Sequence, residues 1–107
     1  MFAAVRMVVE YNKTLEHIAK PFVESGIYDS TAAFVSDLLK DVTARKIKAY
    51  ERKIKRYEAK FGSFEQFSKQ ICGKATPRQE NQWMEWEAAT NMLKAWKNVS
   101  TELGLKN

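Results

Sequence analysis

From Thr31 to Phe61 the chain contains neither glycine nor proline. A run this long without the two residues that interrupt regular structure predicts one helix of about 30 residues, roughly 45 Å at the standard rise. Within it lies KIKAYERKIKRYEAKFG, residues 46–62, where KIKAYER is followed seven residues on by KIKRYEA. Ile47, Tyr50, Ile54, Tyr57 and Phe61 stand at spacings of 3, 4, 3 and 4, a narrow heptad seam. The first half of the run carries Phe34, Val35, Leu38, Leu39 and Val42. The two apolar stripes do not line up across Thr43-Ala44-Arg45, so a bend is expected there. Gly62 ends the helix.

The other elements follow from start and stop signals. Asn12 or Thr14 caps a first helix to about Glu24, with Leu15, Ile18, Ala19, Phe22 and Val23 on one face and Pro21 inside it. Ser25-Gly26 stops it, and Asp29 or Ser30 caps the long helix. Ser63-Phe64-Glu65-Gln66 has the form of a capping box opening a short helix, 64–72, that packs Phe64, Phe67 and Ile71. Thr76-Pro77-Arg78-Gln79 opens a last helix to about Leu103, with Trp83, Trp86, Ala89, Met92, Leu93, Trp96, Val99 and Leu103 on a broad apolar face.

Residues 4–11, AVRMVVEY, are different. Val5, Met7, Val9 and Tyr11 alternate with Arg6, Val8 and Glu10, and period two with β-branched residues predicts a short strand. A lone strand leaves its backbone groups unpaired. No second strand candidate exists in the chain, so its partner is expected to be the same strand of a second subunit. The expected fold is mainly α, a single domain over 1–107 with one intersubunit strand.

The charge is local. Arg45, Lys46, Lys48, Arg52, Lys53, Lys55, Arg56 and Lys60 face only Glu51 and Glu58 in the same segment, while the whole chain carries +5. This basic surface is either the solvated cover of a packed helix, with Glu51 and Glu58 pairing to Lys48 and Lys55, or a contact for nucleic acid or an acidic partner. The tryptophans have two readings as well. Trp83, Trp86 and Trp96 either fill a core against the long helix or present a groove to a partner protein.

Little points to an enzyme. His17 is the only histidine, and Cys72, read as a half-buried thiol, has no recognisable activating base. Glu80, Glu85 and Glu87 have no histidine beside them, so neither a metal site nor a cofactor is expected. The single cysteine excludes an intramolecular disulfide and suits a cytoplasmic protein. The N-terminal apolar run is interrupted by Arg6, is too short to span a bilayer, and carries no export signal.

The order of strand, helix, a turn reading ESGIYDS and a helix opening TAAFVSDLL resembles the ribbon–helix–helix family of DNA-binding regulators and toxin–antitoxin antitoxins. Ser25, Gly26, Tyr28 and Ser30 occupy that family's turn positions, and the resemblance covers residues 4–42. It implies an obligate homodimer whose paired strands enter the major groove. Carried over, Arg6, Val8 and Glu10 would face DNA, and Ser30 and Thr31 would hold a phosphate. The helical extension, 43–103, looks like the C-terminal part of small antitoxin-like proteins, which binds the toxin. The expected function is a small antitoxin-like regulator that dimerises, binds operator DNA and binds a toxin-like protein through its C-terminal helices. The alternative is a helical dimeric interaction or scaffold protein that does not bind DNA.

Overall fold

The computed structural model describes residues 2–104, with side chains from Asn12 onward. Four helices follow one another: α1 Phe2–Glu24, α2 Thr31–Phe61, α3 Phe64–Ile71 and α4 Pro77–Glu102. Among the described residues there is no strand.

This corrects the expected fold. The backbone of residues 4–11 is helical and continuous with the rest of α1, so the intersubunit ribbon is not formed. The physical reason is local. A helix satisfies its amides within its own segment, whereas a single strand needs a second one. Val8 already breaks the alternation, and the helix penalty of a few valines is only some tenths of a kcal/mol each, up to about 0.7. Pro21 lies inside α1 as expected, and the helix continues three residues past it.

The chain divides into two compact units, Met1–Asp41 and Val42–Asn107. In the first, α1 turns into α2 through residues the sequence marks. Gly26 takes φ +80°, the left-handed conformation that favours glycine. The Tyr28 amide donates to the Phe22 carbonyl at 3.1 Å, and the Ala33 amide donates to Ser30 Oγ at 3.1 Å, which makes Ser30 the cap of α2. Phe22 stacks on Phe34 at 4.8 Å, and Tyr28 meets Phe34 edge-on at 5.4 Å.

In the second unit, residues 42–61 of α2 pack with α3 and α4. The capping box expected at Ser63 is present, and the start signal at Thr76 forms a second. The Gln66 amide donates to Ser63 Oγ at 3.1 Å while the Ser63 amide donates to Gln66 Oε1 at 3.0 Å. Thr76 and Gln79 make the same reciprocal pair at 3.2 and 2.9 Å. The two caps start α3 and α4, whose side chains pack with those of the α2 seam. The core is Phe67, Ile71 and Trp86, covered by Ile54, Tyr57, Phe61, Phe64, Ala75 and Trp83.

The heptad seam of α2 meets a matching one on α4. Trp86, Ala89, Leu93, Trp96 and Ser100 follow the same spacing of 3 and 4 residues. The stacking of Tyr57 on Trp86, centroids 5.4 Å apart, sets the register. Thr43 and Ser100 each lie fourteen residues from that pair, one on each helix, and both are buried, at 2% and 1% exposure. α2 runs through Thr43-Ala44-Arg45 unbroken. The offset between its two apolar stripes falls beside the boundary between the units, with Phe34, Val35, Leu38 and Leu39 in the first and Val42 and the heptad seam in the second.

Gly62 has the tightest local requirement. Its φ is +82°, and a Cβ there would meet Gln66 Oε1 at 2.5 Å, the atom that caps Ser63. Gly73 has a similar φ of +73° but open space around it. Gly62→Ala should therefore lower stability by about 1–3 kcal/mol from strain, plus the loss of the cap. Gly73→Ala should cost less, and paired urea denaturation curves would show the difference.

Candidate functional surfaces

Three surfaces of the described residues stand out. No group of three or more His, Cys, Asp or Glu side chains among them could hold a metal ion. His17 is exposed, and the Cys72 thiol is free and exposed rather than half-buried. No helix of the described residues is long and apolar enough to cross a membrane.

The three tryptophans separate. Trp86 is 1% exposed and is core. Tyr57, Phe61, Phe64 and Phe67 all place their rings within 6.4 Å of it. Trp96 is half-buried. Trp83 is the one positioned at an opening. It stacks on Phe64 at 5.4 Å and donates its indole N–H to Ser68 Oγ at 2.8 Å, which fixes the ring. With Ile71, Glu80 and Met84 it lines an open cleft of about 250 Å³. Met84 is 60% exposed. Met84 falls outside the seam period, so periodicity gave no reason to single it out.

The basic surface lies where the helical wheel puts it. Lys46, Lys48, Arg52, Lys55, Arg56 and Lys60 are exposed, and Lys53 is half-buried. Arg45 is exposed too. Neither Glu51 nor Glu58 forms an ion pair with Lys48 or Lys55 among the described residues. Lys60 Nζ sits 5.2 Å from the centre of the Phe61 ring.

The residues assigned to DNA fare unevenly. The side chains of Arg6, Val8 and Glu10 lie outside the described residues, and their backbone belongs to α1 rather than to a ribbon. Ser30 is exposed with its hydroxyl engaged as the α2 cap, and Thr31 is half-buried beside it.

A third surface comprises the apolar faces read from the sequence on the first helix and on the first half of α2. In the first unit only Ala19 and Phe34 are buried among the described side chains. Leu15, Ile18, Phe22, Leu38 and Leu39 stay 39–51% exposed, and Ile27 is 67% exposed. Leu15, Ile18 and Phe22 form one stripe of α1. Ile18 and Leu38 each lie one turn from the Phe22–Phe34 stack, so the exposed faces of the two helices join.

Comparison with protein-family models, with curated proteins and with solved structures finds no match for this chain.

Two tyrosines report on the packing. The Tyr57 hydroxyl donates to Glu85 Oε2 at 2.7 Å, linking α2 to α4. Burial raises its pKa, and the hydrogen bond to Glu85 and that carboxylate's charge raise it further, while Arg56 opposes them. The Tyr28 hydroxyl donates to Asp37, which raises the Tyr28 pKa along with burial and the charges of Asp37 and Asp41. A raised phenol pKa favours the folded state below the ordinary value of about 10. That contribution is lost as the pH climbs through the folded-state value. Tyr57→Phe should cost about 0.5–1.5 kcal/mol at neutral pH. The gap between wild type and variant should narrow in strongly alkaline solution, as chemical denaturation at the two pH values would show.

Proposed function

We propose that the protein is a helical interaction module that self-associates through its first unit and offers its second unit to a partner protein. The supporting observation is where the exposed apolar side chains sit. The second unit closes around Trp86, and in the first Leu15, Ile18, Phe22, Leu38 and Leu39, at 39–51% exposure, gather about the Phe22–Phe34 stack. Together these side chains expose roughly several hundred Å² of apolar surface, the range that marks interaction sites on soluble proteins. A stable interface takes about 800 Å² from each partner. A second copy is the occupant that supplies an equally apolar face, and isologous pairing lets one patch cover another.

This is the interaction-module reading with the homodimer kept. Reading of operator DNA by a paired ribbon is not proposed, since residues 4–11 are helical. An antitoxin-like role survives in one respect, the binding of a partner protein by the C-terminal helices. The cleft of Ile71, Glu80, Trp83 and Met84 suits that role, with an apolar floor, a fixed indole and a single carboxylate. We place the protein in the cytoplasm, where the exposed Cys72 thiol would stay reduced.

Sedimentation equilibrium tests the self-association. The wild-type chain should be a dimer at micromolar concentration. Ile18→Glu with Leu38→Glu puts charges into the centre of the face and should give a monomer whose tryptophan fluorescence is unchanged, because all three tryptophans lie in the second unit. A wild-type chain that stays monomeric at the highest attainable concentration would contradict the proposal.

A further inference from the structure

We infer that the outer side of α2 in the second unit is a ridge that binds the phosphate backbone of duplex nucleic acid, without reading its sequence. The proposal uses none of the residues assigned above to self-association or to the cleft.

Four observations carry it. First, position: at 3.6 residues per turn, Lys48, Arg52, Lys55 and Arg56 fall on the side of α2 opposite the buried seam of Thr43, Ile47 and Ile54. All four are exposed, and none takes part in an ion pair among the described residues. Second, sign: the two acidic residues of the segment, half-buried Glu51 and exposed Glu58, fall between the seam and the ridge, so the charged positions opposite the seam hold cations only. Third, concentration of charge: residues 45–60 hold eight basic side chains and two acidic ones, and the remainder of the chain holds ten and eleven. A merely solubilising surface would have no reason to confine the excess to one side of one helix.

Fourth, shape and chemistry select the partner. From Lys48 to Arg56 the ridge is about 12 Å long, with a cation on every turn. A duplex presents one phosphate charge per about 1.7 Å of axis, the dense linear array that such a ridge matches. Tyr50 and Tyr57 belong to the seam, and Tyr57 is stacked on Trp86, so the ridge has no aromatic platform for the bases of a single strand. Lysine and arginine without such groups position a backbone and carry little base information. The guanidinium groups of Arg52 and Arg56 add bidentate phosphate contacts.

Fluorescence anisotropy with short labelled duplexes, one of DNA and one of RNA, tests the inference on the full chain. Two variants remove the same net charge from different places. R52Q/K55Q/R56Q neutralises the ridge, and K69Q/K94Q/K97Q neutralises exposed lysines on α3 and α4. Glutamine is a good helix former, and far-UV circular dichroism checks that both variants stay folded.

The wild type should bind at low salt, with an affinity that falls linearly on a log–log plot against salt and is the same for unrelated duplex sequences of one kind. The ridge variant should lose about tenfold or more, with a slope shallower by about 2–3, since each phosphate contact contributes about 0.9. The α3/α4 variant should stay within about twofold of wild type. A preference between the DNA and RNA duplexes would name the source of the phosphates and support the ridge in either case. Three results would overturn it: no binding to either duplex at low salt, equal losses in the two variants, or polyglutamate competing as well as unlabelled duplex. The last would assign the ridge to an acidic protein.

Discussion

The second unit depends on the packing of rings around Trp86. Four aromatic side chains from α2 and α3 surround one indole from α4, and the indole is 1% exposed. Removing a buried tryptophan side chain costs about 3–5 kcal/mol, a large fraction of what holds a domain of this size together. The caps around Ser63 and Thr76 start the two helices, α3 and α4, that pack at this point. Once Tyr57 is stacked on Trp86, the equal spacing of the two seams carries the burial fourteen residues away, to Thr43 and Ser100.

Closing one side of α2 defines its other side. The seam takes Ile47, Ile54, Tyr57 and Phe61, so Lys48, Arg52, Lys55 and Arg56 are turned outward together. Packing and charge are thus two consequences of one heptad. The first unit has no comparable closure: its aromatic contacts gather at the turn, around Phe22, Tyr28 and Phe34, and the leucines and isoleucine beyond it remain exposed. The self-association we propose would cover this face.

Much of the helical framework was legible from the sequence. The start and end of α2 match the glycine- and proline-free run, and the capping box at Ser63–Gln66 and the start signal at Thr76–Gln79 were readable because capping is a local interaction between residues three apart. Residues 4–11 were not legible, since an alternating valine-rich segment suits either state and the choice turns on whether its amides find a partner elsewhere. The turn residues Ser25, Gly26, Tyr28 and Ser30, which suggested a regulator family, serve here in a helix stop, an aromatic contact and a cap. Burial was the hardest to foresee. Leu15, Ile18, Leu38 and Leu39 have the spacing of a core face, and periodicity identifies such a face without saying what covers it. Trp83 and Trp86 share one sequence pattern, but only the ring geometry tells the cleft residue from the core residue.

The central proposal is that the second unit forms its core around Trp86 within one chain, while the apolar face of the first is covered by another copy. Amide hydrogen exchange followed by mass spectrometry at two protein concentrations addresses both halves at once. The account predicts that peptides covering 15–22 and 34–41 become more protected as concentration rises, while those covering 47–61 and 83–100 are strongly protected at both. Protection that is independent of concentration throughout would contradict it, as would fast exchange around Trp86.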